Sequence, residues 1–263
     1  MGHDPKLIVL GSGTALPRAD RATSCYLVDP GDGQAILVDL GPGALHRAAQ
    51  HGYGLDRIGL ALLTHIHPDH CADLVALQFA LKSPIGTPRS SPVVVLGHPD
   101  VPLLVSRLRN AWPRWLAVEP DRFVVRAVEP GPLALPDGLP EGLEARAYPV
   151  AHMPSSLGYH LTMPNGFTVA FSGDATEGAG LEDLGRDSDL FVLEAAVTDE
   201  SSVPGHLSPR RAGLVAGACG ARHLLLTHFY PPVLEQPIEE LAREGFEGRV
   251  TLAEDGMVLP LVR

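Results

Sequence analysis

The sequence predicts an α/β fold of four layers, an αββα sandwich in which two mixed β-sheets pack face to face with helices outside them. Three observations carry this expectation. Short apolar runs bounded by Gly, Pro or Asp recur throughout the 263 residues, as strands do between turns. Helix-compatible stretches fall between some of these runs. The early runs follow one another closely, as in hairpins, whereas the later ones alternate with helices, which suggests two sheets of mixed connectivity.

In chain order, strands are expected at 7–10, 25–28, 35–40, 60–64, 93–97, 123–128, 169–172, 190–193 and 224–227, with a further run at 145–151. Helices are expected at 44–51, 73–81, 102–116, 209–217 and 237–243, several of them opening on Pro or following Gly or Ser. Residues 129–142 are rich in Pro, Gly and Leu and read as a surface connection, because apolar strands resume on both sides. No repeat of fixed period is visible. Residues 1–263 are therefore expected to form one domain, a length that single α/β domains reach.

Composition narrows the class. With 45% hydrophobic and 19% charged residues the chain can bury a sizeable core. A formal charge of −11 opposes nonspecific attraction to nucleic acid, which depends on Lys and Arg displacing counterions. Cys25, Cys71 and Cys219 are odd in number and far apart, and no cationic leader precedes an apolar export segment; a cytoplasmic location is expected. No apolar stretch approaches the ~20 residues that span a bilayer, so no membrane partner is expected.

The chemistry concentrates in His65-Ile66-His67-Pro68-Asp69-His70, directly after the apolar run 60–63. Three imidazoles and a carboxylate in six positions form a donor set suited to zinc, iron or manganese. Pro68 argues against a helix here, so these ligands are expected on a loop. Several predicted strands also end in a residue able to bind metal or move a proton: Asp39, His65, His152, Asp174, Glu194 and His228. One edge of the fold would collect them.

With those residues in view, the chain resembles metallo-β-lactamase superfamily hydrolases along essentially its whole length, and within them the ribonuclease Z-like and phosphodiesterase branch. The matching segments are Leu10-Gly11-Ser12-Gly13-Thr14, Val38-Asp39-Leu40-Gly41-Pro42-Gly43, Thr64 to His70, Ala151-His152, Phe171-Ser172-Gly173-Asp174, Glu194-Ala195, His206-Leu207-Ser208 and Leu226-Thr227-His228-Phe229. The resemblance implies the metallo-β-lactamase fold and two divalent ions, zinc in first place with manganese or iron as alternatives. His65, His67 and His152 would hold one ion and Asp69, His70 and His228 the other, with Asp174 bridging. Two cations ~3.5–4 Å apart can activate a shared hydroxide, and Asp69 would also orient it. Glu194 and His206 match the pair that passes a proton to the leaving group, and Asp39 would hold a ligand imidazole by hydrogen bond. Relatives also suggest a homodimer.

Ribonuclease Z enzymes that process transfer RNA carry a long Gly- and Pro-rich arm between the third-motif histidine and the bridging aspartate. Here His152 and Asp174 leave no room for it, and Ala22 stands where an asparagine is expected. The expected activity is therefore a metal-dependent phosphodiesterase acting on a small or cyclic phosphodiester, with nucleic acid not favoured as partner. A ribonuclease Z-type RNA endonuclease and a lactone, ester or thioester hydrolase on the same site are the alternatives. A mononuclear iron oxygenase and a noncatalytic metal- or RNA-binding protein are less favoured because Asp69, His70 and His228 are all retained.

The remaining features take plainer readings. Gly11 and Gly13 lack the third glycine and following helix of a nucleotide loop, and a close backbone approach accounts for them. Ser12 is a candidate to touch a substrate phosphate. Cys71 reads as a small buried filler, and the Arg- and Trp-containing run 106–115 as an amphipathic helix rather than a base-stacking surface. His3, His46, His51, His98, His160 and His223 have no partner at ligand spacing.

Overall fold

β1 (Lys6–Gly11) sends Leu7 and Val9 to one face and Ile8 and Leu10 to the other, and all four are buried. A strand apolar on both faces belongs in a sheet covered on both sides. The computed structural model describes residues 3–83, 85, 89–201 and 203–263. Within them, β1 joins β2 (Cys25–Asp29), β3 (Ala35–Val38), β4 (Ile58–Leu62), β5 (Val93–Gly97), β6 (Phe123–Ala127) and β14 (Val258–Pro260) in the order β14-β1-β2-β3-β4-β5-β6. The pairs from β14 to β3 are antiparallel and those from β3 to β6 parallel.

The second sheet has the order β13-β12-β11-β10-β9-β8-β7. It comprises β7 (Gly131–Pro132), β8 (Glu144–Pro149), β9 (Leu157–Thr162), β10 (Thr168–Phe171), β11 (Leu190–Glu194), β12 (His223–Thr227) and β13 (Arg249–Leu252). From β10 to β13 the pairs are parallel, and from β7 to β10 antiparallel.

Three apolar clusters correspond to the three interfaces of a four-layer sandwich. The middle one joins Val9, Val38 and Leu62 of the first sheet to Tyr159, Phe171 and Val192 of the second. One outer cluster packs α1 (Ala44–Gln50), α3 (Asp73–Lys82) and α4 (Asp100–Ala111) on the first sheet through Ala48, Leu74, Leu77 and Val105. The other packs α5 (Ala179–Gly185), α6 (Pro209–Ala218) and α8 (Ile238–Arg243) on the second through Leu184, Ala212, Val215 and Ile238. Each fully buried large aliphatic side chain contributes about 1.5–3 kcal/mol, so the clusters hold the sheets in fixed relation. Polar ties add register: Tyr26 and Thr227 hydroxyls meet at 2.6 Å across the sheets, and Tyr159 donates to the Leu63 carbonyl at 2.7 Å.

Several elements differ from the sequence expectation. The segment expected as a loop contains a short helix, α2 (Pro68–Cys71), with Pro68 at its start, where the missing N–H costs nothing. The expected strand 35–40 ends at Val38 because Asp39 takes a left-handed φ of 63°. The helix expected over 102–116 runs from Asp100 to Ala111, since Pro113 drives Trp112 out of the helical region. β9, β13, β14, α5 and α7 (Pro231–Leu234) were not anticipated; β13 and β14 are short strands with partly exposed side chains. The connection 129–142 contributes β7, and its Gly138 carbonyl accepts from the Gln34 amide at 2.9 Å. Among the described residues no helix is long and apolar enough to cross a membrane, and Cys25, Cys71 and Cys219 are free and buried.

At the turn before β11, Asp189 accepts from the Thr168 amide and hydroxyl, Arg222 and Arg263. Burial works against its charge, yet these donors hold the carboxyl below the usual carboxylate range. A depressed carboxyl stabilises the fold above its unfolded pKa and loses that contribution as pH falls through the folded one. Asp189→Asn is therefore expected to cost about 1–2 kcal/mol at pH 7, discounted because both arginines are largely exposed. The difference from wild type should shrink below about pH 4, measured by urea unfolding across pH.

Candidate metal centre

The C-terminal ends of β3, β4, β10, β11 and β12 open on one edge of the sandwich, and the chemistry-bearing residues follow them directly. Asp39 succeeds β3, His65 and His67 follow β4, Asp69 and His70 lie in α2, Asp174 follows β10, Glu194 ends β11 and His228 succeeds β12. His152 arrives from the β8 side, beside the isolated bridge between Ala151 and Thr176. Asp39 and His228 hold φ of 63° and 60°, which is uncommon for residues with a side chain and turns each sharply off its strand. Such strain, roughly 1–3 kcal/mol each, persists where surrounding structure over-determines it.

The seven residues expected to bind metal come together in two groups. One donor atom from each of His65, His67, His152 and Asp174 lies within 4.8 Å of the others, and so do those of Asp69, His70 and His228. Asp174 divides its oxygens between them. Its Oδ2 lies 3.7 Å from Nε2 of both His65 and His152, and its Oδ1 lies 3.1 Å from His70 Nε2 and 3.3 Å from His228 Nε2. Nε2 of His65, His70 and His228 and Oδ1 of Asp174 are buried without a well-formed hydrogen bond. Burying four such atoms around one point is costly unless a cation satisfies them, so the donor set suits two metal ions.

Surrounding residues aim these rings. Asp39 Oδ2 pairs with His70 Nδ1 at 2.7 Å, while its Oδ1 accepts from the Thr64 amide and hydroxyl, both at 2.9 Å. The Thr64 hydroxyl lies 3.0 Å from His65 Nδ1, and the Gly205 carbonyl 2.9 Å from His152 Nδ1. In each case the natural tautomer carries the proton on Nδ1 and leaves the Nε2 lone pair facing the centre. Burial lowers the pKa of His65 and His152 and takes His228 down to about 4, which keeps these rings in the neutral, ligand-competent form. For His70 burial acts the same way, but Asp174 and Asp39 outweigh it and raise its pKa well above the ordinary value. Burial likewise opposes ionisation of Asp174, yet its pairing with His228 and His70 holds it well down.

Gly173, at φ 59°, sits against Thr64: an added Cβ would lie 2.6 Å from Thr64 Cβ. Gly173→Ala is expected to cost about 1–3 kcal/mol by overpacking and to weaken metal retention by displacing the side chain that ties Asp39 to His65. Thermal unfolding with and without chelator checks both effects.

At the rim, His206 Nδ1 meets Glu194 Oε1 at 2.9 Å, and the His206 ring lies 4.9 Å from that of His152. Glu194 also accepts from the amides of Ala175, Ala196 and Leu207, so four N–H donors engage its two oxygens. Burial pushes Glu194 up, to about 7, against the pull of His206. Burial also disfavours charge on His206, but Glu194 outweighs it and raises the imidazole. The two groups titrate as a couple, and the four N–H donors around Glu194 favour keeping its oxygens as acceptors with the proton on the imidazole.

Other residues correct or extend the sequence reading. Ser12, a candidate for phosphate contact, is buried with its hydroxyl engaged by Asp255 at 2.8 Å and Arg21 at 2.7 Å. Its carbonyl accepts the His228 amide at 3.0 Å. Asp255 also takes the amides of Ser12 and Ala22 and an ion pair from Arg47. Asp255 was missed because an Asp-Gly pair near the end of the chain reads as an ordinary turn. Gly11 makes the close approach expected of it, for a Cβ there would lie 1.9 Å from the Thr23 carbonyl oxygen. Cys71 Sγ faces the Ile66 carbonyl at 3.4 Å rather than the cluster.

Comparison with known proteins places this geometry in context. The metallo-beta-lactamase superfamily matches residues 18–215. A ribonuclease Z of Mycobacterium avium (strain 104) is 30% identical over 274 residues, covering 95% of this chain and 96% of its own. The metallo-beta-lactamase fold protein YhfI from Bacillus subtilis superimposes with a TM-score of 0.79 at 24% identity, covering 98% of this chain and 100% of its own. The short form of human tRNase Z does so with a TM-score of 0.76 at 24% identity and the same coverage.

Proposed function

The chain belongs to the metallo-beta-lactamase superfamily, and from that premise we propose that it is a two-metal phosphodiesterase acting on a small or cyclic phosphodiester. His65, His67 and His152 would hold one ion and Asp69, His70 and His228 the other, with Asp174 giving one oxygen to each. The nitrogen-rich donor set favours zinc. Two such cations supply Lewis acidity toward a phosphoryl oxygen and lower the pKa of water toward neutrality.

The protein's own groups do the rest. Asp39 and Thr64 fix the rings of His70 and His65. Asp69, with Oδ2 3.7 Å from His70 Nε2, accepts a hydrogen bond from the attacking water and orients it. His206 gives its proton to the departing oxygen, and Glu194 steadies the ring that carries it.

The single observation carrying this reading is the His206–Glu194 couple seated against the ligand cluster, since an alkoxide leaving phosphorus needs a proton. A small substrate is favoured because the chain between His152 and Asp174 consists largely of β9, a turn and β10, leaving no arm for a transfer RNA. The second reading, a ribonuclease Z-type endonuclease, is favoured by the 30% identity to the Mycobacterium avium protein. The test is metal content together with turnover of bis(4-nitrophenyl) phosphate, cyclic nucleotides, a transfer RNA precursor and lactones. Two ions per chain with turnover of small phosphodiesters is the expected result. Precursor cleavage would support the second reading, and lactone turnover alone would overturn both.

A further inference from the structure

Beside His206 the surface sinks into a cavity of about 540 Å³, within the ~300–1,000 Å³ of small-molecule sites. Its wall includes Leu16, Ala196, Val197, Val203, Tyr230 and Pro232, and His206 itself forms part of it. Tyr230 stands between this cavity and the ligand cluster, its ring edge-on to His206 at 6.4 Å and to His228 at 6.1 Å. Leu16 and Val203 remain 50% and 55% exposed, large apolar side chains left in water at the mouth of a cleft. Apolar surface of this kind next to polar groups marks a ligand site. Among the described residues no lysine or arginine lines the cavity, and the acid that does is Glu200. Apart from His206, a second phosphate would meet no basic side chain among those lining the cavity and one repulsive carboxylate.

We infer that this cavity seats the organic group on the departing oxygen, and that this group is flat, apolar and uncharged, such as an aryl ring or a nucleobase carrying no further phosphate. The inference rests on His206 being the proton donor: the side chain that protonates the departing oxygen also walls the cavity, so the group attached to that oxygen has this space beside it. Hydrolysis joins a water oxygen to phosphorus, breaks the bond to the departing oxygen and leaves one proton on it. Tyr230 offers a ring for stacking, and Leu16 and Val203 close on the outer edge of the guest. In a cyclic phosphodiester the group stays tethered to the product and occupies the same space.

The test uses the metal-loaded full chain and two methyl aryl phosphodiesters whose departing phenols are matched in acidity, one neutral and one bearing a phosphonate. Wild type is expected to prefer the neutral substrate at least about tenfold in kcat/KM. Tyr230→Ala should lose about ten- to a hundredfold on the neutral substrate, as removal of one stacking surface does, and Tyr230→Phe should restore it. Leu16→Lys, at a half-exposed position, should erase the preference by improving the charged substrate. Calorimetric affinity for benzylphosphonate relative to methylphosphonate gives a readout independent of turnover and should fall in Tyr230→Ala. If both phosphodiesters are hydrolysed alike and the variants leave their ratio unchanged, the cavity assignment is overturned while the phosphodiesterase reading stands. If neither is hydrolysed by protein holding two ions, the phosphodiesterase reading fails and the assignment with it.

Discussion

Asp174→Ala should empty both halves of the centre at once, whereas His67→Ala should empty one. The difference follows from the two carboxylate oxygens: Oδ2 faces His65 and His152, Oδ1 faces His70 and His228, and among the described residues no other side chain is shared by the two groups. Elemental analysis should fall from two ions per chain toward none in the first variant and toward one in the second. Turnover should fall by roughly a thousandfold or more in both, because the cations supply most of the charge stabilisation. Chelating wild type should also lower its melting temperature. A ligand at about a thousand times its Kd contributes about 4 kcal/mol, equivalent to roughly 10 °C in a chain of this size. Asp174→Ala should melt at one temperature with or without chelator. Retention of two ions by that variant would remove the bridging role.

His206→Ala should slow turnover by about 10²- to 10⁴-fold while metal content stays at the wild-type value. The loss should be smallest for 4-nitrophenyl esters, whose leaving group needs little protonation, and largest for alkyl esters. Equal losses across that series would exclude His206 as the acid. The pH profile adds a sign. Glu194 raises the imidazole against the effect of burial, so the protonated form persists above the ordinary histidine pKa of about 6.5. The alkaline limb should therefore lie above that value and move to lower pH in Glu194→Gln. Glu194→Ala differs in kind: it strands three buried amides and is expected to cost about 3–5 kcal/mol in unfolding.

The β-sandwich was legible wherever strands are continuous apolar runs, as in Val93–Gly97 and Leu190–Leu193, because parallel strands covered on both faces need such runs. It was faint where alternation runs through small residues, as in Glu144-Ala145-Arg146-Ala147, which buries only two alanines. Residues at strand ends could be expected to meet because parallel strands deliver their ends to one edge, and the structure does gather Asp39, His65, Asp174, Glu194 and His228 there. Asp255 was not legible as part of the site, and Thr64 only as a member of the matching segment Thr64 to His70, with no role of its own. Their contribution lies in hydrogen bonds to atoms as many as 243 positions away, and no local pattern records a contact of that range. Pro68 misled for the opposite reason, since a single residue type permits a helix start as readily as it forbids a helix interior.

The tie from Asp255 to Ser12 and Ala22 also bears on how the protein is made. A growing chain presents the His65–His70 segment early, yet His228 comes late and the clamp that positions it through Ser12 later still. Closing a loop of that span carries a large entropic cost that only native packing offsets, so folding should be slow and should finish from the C-terminal side. During synthesis at about 5–20 residues per second, the first histidines spend roughly ten seconds or more without their partners. A metal centre built from these residues would thus be complete only once Asp255 has been made, and a ribosome-bound fragment ending before Asp255 should hold metal loosely and exchange it freely.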